Sequence, residues 1–575
     1  MIGRCVGALY CSNTLGVAFG CLAAGFWTID TLGLHLTNLA AVWVNLAVAV
    51  AAFALSGPIA RIAGSERTDL TPSKATGPTK SAEPLELMQT TAFVLLIVAF
   101  LNGLASLSCE VFYGSATCLF LSSKAYVFPT ILCVFLLGMG LGGLVYSVLQ
   151  RRIGLSISAL AIIEMSLAVA VPATFIGGAL IFALGPTEPL SVKGMALLTV
   201  FMPTALMGAA FPLLRSLYGR HVGNLGQRIG LLFALNTTGA VMGSLLPIFV
   251  LVPGIGIQRS LLLVSLLYGS MGLALLICER PKTNRLTATA AVVWGGALVI
   301  FLAAAPWNLC QRVFLAKDFG LAKNTDILYY REGRTGTATL VRDQVNNCKT
   351  LWLNGNSEVP LGYGDEICFK MLGNLGPMFQ AEPDDVLMIC FGGGVAAGTT
   401  ALMPEVKSIT IVDMESCMVQ AAKLLTKENN GLLQSPKAHV VIDDGRNYVL
   451  NAPRKWPVII SDSTHPKSAD SWVLYTQEFY RLVHDHLNTN GISVEWLPRH
   501  GLTTAEYKII ARTFLSVFPH TSLWVHPRHG CARLLCRLYP PSWGTYIQCH
   551  PRLWGISNQK LTQKRHSNTI VMHNC

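Results

Sequence analysis

Long apolar runs fill the first half of the chain, and short runs follow in the second half. Hydrophobic stretches lie near 5–28, 40–55, 90–109, 126–149, 156–183, 193–214, 229–252, 260–278 and 287–305. Each is close to the length that a helix needs to cross a bilayer. Beyond about residue 325 the runs shorten to strand length. The pattern predicts about nine membrane helices followed by a domain of strands and helices.

An internal repeat links the two ends of the helical half. The segment YCSNTLGVAFG at 10–20 is matched by FALNTTGAVMG at 233–243, and Gly33 and Gly256 keep the same offset of 223 positions. A constant offset across two helices predicts duplicated halves of a transporter-like bundle. Small residues permit close helix packing, so we expect the two repeated helices to pack against each other.

One glycine-rich stretch dominates the second half. The apolar run 386–391 predicts a buried parallel strand and is followed by three glycines at 392–394, and a second apolar run at 409–412 ends at Asp413. Glycines let the backbone approach a ligand, and a carboxylate about 20 residues later accepts hydrogen bonds from ribose hydroxyls. The stretch predicts a nucleotide-binding βαβ unit, with an ordinary strand-to-helix turn as the alternative.

Two further stretches extend this pattern. VVIDDGR at 440–446 and PVIISDSTHP at 457–466 each follow an apolar run with acids. Ligands of open parallel sheets bind beyond the carboxyl ends of the strands. We therefore expect Asp444 and Asp462 to share one crevice with Asp413.

The ordered run DDGRNY, SDSTHP and LYTQEFYRL resembles the spermidine synthase (polyamine aminopropyltransferase) family. The chain is more closely similar to bacterial membrane proteins in which a multi-helix region is fused to such a domain. The resemblance implies an α-helical multi-pass membrane bundle, transporter-like with duplicated halves, followed by an α/β Rossmann-like domain of methyltransferase type with a small N-terminal β-hairpin subdomain. In that family the helices missing from the first repeat would precede Met1, so the chain is either a short version or has lost its start.

The chain accordingly divides into six parts. We predict two helices of a partial first repeat in 1–58, a polar loop in 59–87, about seven helices in 88–306, a linker and small antiparallel β subdomain in 307–380, the spermidine-synthase-like Rossmann domain in 381–525, and a basic Cys/His-rich tail without assignment in 526–575.

The resemblance also implies a reaction and its residues. The family transfers a propylamine group from decarboxylated S-adenosylmethionine to an amine, without a metal. The implied cofactor-binding residues are Gly392, Gly394, Asp413, Asp444 and Gly445. Asp413 would hold the ribose, Asp444 would lie at the adenine, and Asp462 would be the catalytic base. The alternatives are a helix N-cap or a solvated loop acid for Asp413, and a turn cap for Asp462.

The amine end departs from the family pattern. Gly393 and His465 stand where the family has acids, and Phe369-Lys370 replaces a Tyr-Gln pair. Phe369, Lys370 and His465 are the candidate substrate residues. A polycationic amine needs acids in its pocket, so we expect activity on putrescine to be weak or absent.

Composition supports the membrane class. The 575 residues are 52% hydrophobic and 13% charged, against about 25% charged in soluble domains. The net charge of +12 lies largely in loops and the tail, so no nucleic-acid partner is expected. The sixteen cysteines contain no CxxC pair and indicate no metal. The expected partners are membrane lipid, a small-molecule amine and an adenosyl ligand, and a homo-oligomer is left open.

The charge of the loops predicts how the protein is oriented in the membrane, and acids within the spans are candidates for a functional role. The loops that contain Arg151, Arg220 and Arg280 are basic and should be cytoplasmic in a multi-pass protein of the cell (inner) membrane. If 287–305 spans, the α/β domain lies on the opposite side; if that segment is re-entrant or interfacial, the domain is cytoplasmic, which we prefer. Glu110 and Glu164 lie in or near spans and are functional candidates or helix-bonded carboxylates.

Three functions remain open. The first is a membrane-anchored aminopropyltransferase, indicated by Asp413, Asp444 and Asp462 together. The second is a transporter or sensor whose Rossmann domain binds an adenosyl ligand without turnover. The third is an S-adenosylmethionine-dependent methyltransferase, against which the hairpin subdomain and the LYTQEFY segment argue.

Overall fold

The computed structural model describes residues 2–68, 85–121, 127–153, 156–184, 189–219, 225–279, 285–304, 307–311, 324–362, 365–468, 471–498, 501–525, 532–537 and 571–574. Its first part consists of the helices α1 (Ile2–Ala23), α2 (Ile29–Thr68), α3 (Leu85–Leu121), α4 (Val127–Ile153), α5 (Ile157–Leu184), α6 (Pro189–Tyr218), α7 (Leu225–Leu246), α8 (Val252–Ile255), α9 (Ile257–Cys278) and α10 (Arg285–Ala304). Within the described residues, seven helical stretches are long and apolar enough to cross a membrane.

The sequence repeat is also a repeat of backbone geometry. α1 and α7 each have 22 residues, and each runs into a π-helical segment of 5 residues, Ala24–Thr28 and Pro247–Leu251. Gly33 and Gly256 then have matching conformations, with φ of 74° and 85°. Glycine adopts such a φ without strain, so the same kink follows in both halves.

The two repeated helices pack on different partners. α1 packs on α4, whereas α7 packs on α3, where a Cβ at Gly239 or Gly243 would overlap a carbonyl oxygen of α3. At the equivalent Gly16 and Gly20 of α1, a Cβ would meet no atom within 4 Å. For the described residues, the expected packing of the repeated helices on each other is therefore wrong, because their glycines meet different surroundings.

α10 runs along the bundle to the end where α9 begins. It packs on α5 and α9, and the N–H of Leu309, which follows it, donates to Gln258 Oε1 at 3.1 Å. Leu309 and Cys310 are buried against the bundle. The α/β part is therefore attached at the end of the bundle that carries residues 252–257.

A small antiparallel sheet follows the helices. Its strands, in spatial order, are β1 (Thr325–Glu332), β2 (Thr337–Asp343), β3 (Lys349–Leu353) and β4 (Asn356–Leu361). Buried side chains of this sheet, among them Leu340 and Val359, pack on Met418 and Leu425 of the larger domain. This packing places the small sheet beside the strand ends of the larger one.

Within the part of the chain that the structure describes, the larger sheet has eight strands in the order β12-β10-β11-β9-β8-β5-β6-β7. The strands are β5 (Asp385–Ile389), β6 (Ser408–Asp413), β7 (Ala438–Ile442), β8 (Trp456–Ser461), β9 (Leu487–Leu497), β10 (Thr521–Val525), β11 (Ala532–Arg537) and β12 (Val571–Asn574). β9, β8, β5, β6 and β7 are parallel, and β11 is antiparallel to both neighbours. The predicted order of a helical region and then an α/β domain with a parallel sheet is confirmed.

Among the described residues, six α-helices accompany this sheet: α11 (Asp365–Phe379), α12 (Val395–Ala401), α13 (Ser416–Ala421), α14 (Gly445–Asn451), α15 (Gln477–Asp485) and α16 (Thr504–Val517). The chain moves outward from β5 in both directions, to β6 on one side and to β8 on the other. Such a reversal opens a crevice beyond the carboxyl ends of the strands. β11 and β12 come from the tail left without assignment, whose other residues after 525 lie outside the described part.

Candidate functional site

A cavity lies at this reversal, between the carboxyl ends of β5, β6 and β8 and the small sheet. Its acidic lining residues are Glu358, Asp413, Glu415, Asp444 and Asp462. Among the described residues that line it there is no lysine, arginine or histidine. A cleft lined by charges of one sign concentrates ligands of the opposite sign, so this cavity favours a cation.

The loop after β5 shapes the floor of the cavity. Cys390, Gly392 and Gly394 have φ values of 68°, 53° and 77°. Gly392 lines the cavity, and a Cβ at this position would lie 3.4 Å from Asp462 Oδ2. Gly394 directly precedes α12 as its N-cap and lies against Leu432, so it shapes the loop without being among the described lining residues of the cavity.

Asp413 is held at the end of β6 by two backbone donors. Oδ2 accepts from the N–H of Phe391 at 2.7 Å, and Oδ1 accepts from the N–H of Glu415 at 2.8 Å. Burial raises the pKa of Asp413 to about 6, although these two hydrogen bonds oppose the rise. Each oxygen keeps a lone pair for a further donor, as binding of ribose hydroxyls requires. The helix-cap alternative for Asp413 does not hold, since Glu415 is the residue that caps α13.

Asp444 and Gly445 lie where β7 passes into α14. Asp444 caps this helix, because its Oδ1 accepts from the N–H of Asn447 at 2.7 Å. A Cβ at Gly445 would lie 2.5 Å from a side-chain carbon of Ile389, so glycine allows α14 to start close against β5. Both residues line the cavity.

Asp462 follows β8 on the opposite side of the glycine loop. Its N–H donates to the carbonyl of Ile389 at 2.9 Å, which ties the end of β8 to the end of β5. Beside it, the hydroxyls of Ser461 and Ser463 lie 2.6 Å apart. The tertiary structure thus brings Asp413, Asp444 and Asp462 into one cavity from three strand ends.

The candidate substrate residues do not all reach the cavity. Phe369 lines it. Lys370 lies on the surface of α11, where its Nζ is 2.8 Å from Glu366 Oε2. His465 lies in the loop after β8, and its Nδ1 accepts from the N–H of Lys467 at 3.2 Å. Of the three candidate substrate residues, only Phe369 lies in the described lining of the cavity, and the charge of Lys370 is paired on the surface of α11.

Sequence reasoning missed two acids and a hydroxyl of the cavity wall. Glu358 comes from β4 of the small sheet, Glu415 follows Asp413 by two positions, and Thr335 lies in the turn between β1 and β2. The loss of family acids suggests a depleted pocket, but these residues restore negative charge from other elements. Within the described residues, no group of three His, Cys, Asp or Glu side chains is arranged to hold a metal.

Sheet order, with the cavity at its reversal point, defines an α/β domain of the Rossmann type. Residues 366–527 match the family described as the Spermine/spermidine synthase domain.

Curated proteins similar to this chain are named polyamine aminopropyltransferases. The chain is 25% identical over 421 residues to polyamine aminopropyltransferase 1 of Streptomyces coelicolor, covering 69% of this chain and 74% of the relative. It is 36% identical over 140 residues to polyamine aminopropyltransferase 2 of Hyperthermus butylicus, covering 24% and 45%. A solved spermidine synthase in complex with the transition state analogue AdoDATO is 20% identical with a TM-score of 0.35, covering 37% of this chain and 73% of that one.

Proposed function

We propose that the chain is a membrane-bound aminopropyltransferase that joins decarboxylated S-adenosylmethionine to an amine acceptor. The observation that carries this proposal is the cavity, with five carboxylates and no basic side chain among its described lining residues. Both reactants are cationic, because one carries a sulfonium and an ammonium and the other carries ammonium groups. An acidic crevice at the reversal point of a Rossmann sheet suits such a pair.

The nucleoside half of the co-substrate binds at the carboxyl ends of β6 and β7. Asp413 has lone pairs available for two ribose hydroxyls while its backbone bonds hold it in place. Asp444 and Gly445 border the neighbouring part of the cavity and take the adenine. Gly392 lets the backbone approach the sulfonium side without obstruction.

The reaction requires little covalent chemistry from the protein. The lone pair of the neutral acceptor nitrogen attacks the propyl carbon bonded to the sulfonium sulfur. The carbon–sulfur bond breaks, and its electron pair stays on sulfur, which becomes the neutral thioether of 5′-methylthioadenosine. The new nitrogen–carbon bond leaves the nitrogen with an extra proton and a positive charge, and Asp462 accepts this proton. If the acceptor enters the cavity as an ammonium, Asp462 instead accepts the proton that the nitrogen loses before it attacks. Orientation of the two reactants supplies much of the rate.

The acceptor end of the cavity lies towards the small sheet. Glu358 lines this wall and supplies a carboxylate for an ammonium group of the acceptor. Gly393 and His465 supply no acid there, so a short diamine such as putrescine remains a poor acceptor in this proposal. A longer amine that reaches Glu358 is the better substrate.

The helical part suits a multi-pass location in the cell membrane. Seven described stretches have the required length and apolarity. The match to the Streptomyces protein covers 69% of this chain, more than the α/β part contains, so it extends into the helices. In the sequence, the basic segments 219–224 and 279–284 directly precede α7 and α10, and these helix starts lie at the opposite end of the bundle from residues 252–257, to which the α/β part is attached. By the positive-inside rule this geometry favours the non-cytoplasmic side, in contrast to the cytoplasmic placement preferred from the sequence.

That placement favours a second candidate function. Adenosyl co-substrates are cytoplasmic, so an α/β domain on the other side would act as a receptor that binds an adenosyl ligand without turnover. Labelling of intact cells with a membrane-impermeant, amine-reactive reagent shows which side of the membrane the α/β domain faces. Exposed Lys455 of the α/β domain is labelled without lysis if the domain is outside, and Lys282 of a basic loop is then labelled only after lysis.

Turnover is tested with the purified full chain. Decarboxylated S-adenosylmethionine is supplied with putrescine and a panel of longer amines, and methylthioadenosine formation is measured. Product formation supports the enzyme. Binding of methylthioadenosine without product from any amine would support the receptor instead, and absence of both would refute the two proposals. Transfer of a methyl group from S-adenosylmethionine would reassign the domain as a methyltransferase.

A further inference from the structure

Glu332, at the end of β1, connects the α/β part to the helical bundle. Its side chain is 8% exposed, and its Oε2 accepts the backbone N–H of Ile257. Its Oε1 accepts from the hydroxyl of Tyr330 at 2.7 Å. Ile257 is the first residue of α9, and N–H groups at a helix start have no partner within the helix. The carboxylate therefore completes the start of α9 and gains from the helix dipole.

Gly256 makes this contact accessible. A Cβ at Gly256 would lie 2.9 Å from Glu332 Oε2, whereas a Cβ at Gly33, its repeat counterpart with nearly the same backbone conformation, would meet no atom within 4 Å. A second contact lies beside it, with the guanidinium of Arg334 4.8 Å from the ring centroid of Phe249. The turn after β1 thus touches the second repeat of the bundle at two points.

The other side of the same turn touches the cavity wall. Glu415 Oε2 accepts from the N–H of Thr335 at 3.1 Å and from its hydroxyl at 2.5 Å. The turn itself is closed by a hydrogen bond of 2.7 Å from the N–H of Gly333 to the carbonyl of Gly336. A Cβ at Gly333 would overlap the Glu415 carboxylate, so the turn lies directly against this acid.

Glu415 passes the contact on to Asp413. Its N–H donates to Asp413 Oδ1 at 2.8 Å, and its own Oε1 accepts from the N–H of Cys417 at 3.2 Å. Thr335, Glu415 and Asp413 all line the cavity. A continuous series of hydrogen bonds and one closed turn therefore runs from the start of α9 to the acid assigned to the ribose.

We propose that the turn 333–336 couples nucleoside binding in the cavity to the helical bundle, with Glu332 as the positioning residue at the bundle end. Because Glu332 directly precedes the closed turn that contains Thr335, a displacement of the start of α9 moves Thr335 against Glu415. Binding that fixes Asp413 and Glu415 in turn fixes the start of α9, since coupling between two sites is reciprocal. This inference rests on the nucleoside-binding part of the proposed function.

The test measures 5′-methylthioadenosine binding by calorimetry on the full chain. Glu332→Ala and Gly256→Ala are expected to weaken binding by about 5- to 150-fold, the usual range for coupled sites. Glu332→Gln, which keeps an acceptor for Ile257, restores most of the affinity. Gly33→Ala introduces the same backbone strain without touching Glu332 and leaves affinity unchanged. Unchanged affinity in Glu332→Ala and Gly256→Ala, both folded by circular dichroism, would overturn the coupling.

Amide hydrogen exchange supplies a readout that does not need the ligand. In the free protein, Glu332→Ala should speed exchange at Thr335 and Cys417, whereas Gly33→Ala should not. If wild type fails to bind methylthioadenosine but this exchange effect is present, the coupling stands and the nucleoside assignment falls. If exchange at both amides is the same in Glu332→Ala as in wild type, the coupling is wrong whatever binds in the cavity.

Discussion

The N–H of Phe391 donates to Asp413 Oδ2 at 2.7 Å, so the acid at the end of β6 is bonded to the loop that follows β5. These residues lie 22 positions apart in the chain and meet because their strands are neighbours in the sheet. The bond orients the carboxylate before any ligand arrives. Two sides of the cavity floor are thereby fixed to each other.

Nucleoside binding is expected to weaken as the pH falls through about 6. Burial raises the pKa of Asp413 from its ordinary value of 3.8 to about 6, so the acceptor form is populated above that pH and lost below it. A protonated carboxyl offers fewer lone pairs to the ribose. Calorimetry with methylthioadenosine at about pH 7.5 and about pH 5 measures the change, and Asp413→Asn should remove the dependence. Equal affinity at both pH values in wild type would contradict this role.

Replacement of Asp462 should abolish turnover while binding persists. Removal of a general base typically costs 10²–10⁴-fold in rate, so Asp462→Asn should lower the turnover number by about this factor. Methylthioadenosine affinity should change little, because the nucleoside is assigned to Asp413 and Asp444. Full activity in the variant would exclude Asp462 from the mechanism. Efficient spermidine formation from putrescine by wild type would show that the losses at Gly393 and His465 do not matter.

Glu358 is expected to contribute to binding of the amine acceptor and not to binding of the nucleoside. Glu358→Gln removes a charge at the wall of the small sheet, and a hydrogen bond to a charged group is worth about 1.5–3 kcal/mol. We expect the KM for the amine to rise by about 10- to 150-fold at similar nucleoside affinity. Lys370→Ala is the control, because Lys370 pairs with Glu366 on the surface of α11 and should leave both constants unchanged. An equal effect of the two substitutions would argue against a specific role for Glu358.

The two sets of repeat glycines should respond differently to substitution. Gly239→Ala and Gly243→Ala force side chains against the carbonyls of α3, and overpacking typically costs about 1–3 kcal/mol. Gly16→Ala and Gly20→Ala meet no neighbouring atom in the described structure and should be tolerated. Thermal unfolding of the purified protein in detergent compares the four variants. Equal stability of all four would mean that α7 does not depend on this close packing.

Asn102 is expected to stabilise the bundle through its hydrogen bond to Glu164. Glu164 is fully buried in the bundle, and its Oε1 accepts from Asn102 Nδ2 at 2.7 Å. Asn102→Leu removes this donor from a buried acid, and a buried polar group without its partner costs about 1–3 kcal/mol. The double variant Asn102→Leu with Glu164→Leu should recover part of the loss. Thermal unfolding measures the single and double variants. If the double variant loses as much stability as the two single variants together, or more, Glu164 does not depend on Asn102.

The local sequence was sufficient to predict the central strands of the larger sheet and the three acids at their carboxyl ends. A mostly apolar run precedes each of Asp413, Asp444 and Asp462, and each acid lies at a strand end or within two residues after it, where parallel pairing brings the three acids together. The repeat offset likewise predicted that Gly33 and Gly256 would be equivalent, because a positive φ requires glycine at both kinks. β11 and β12 were missed, since both are short segments of the tail whose place in the sheet is set by pairing with β9 and β10.

Tertiary structure alone decided which side chains complete the site. Lys370 and Phe369 are adjacent in the chain, yet successive residues of a helix point in different directions, so Phe369 lines the cavity and Lys370 pairs with Glu366. Glu358 and Thr335 reach the cavity because the small sheet packs on the Rossmann domain, a contact between distant segments that no local pattern encodes. The same holds for Glu332, whose partner at Ile257 lies 75 positions earlier, in the helical half of the chain.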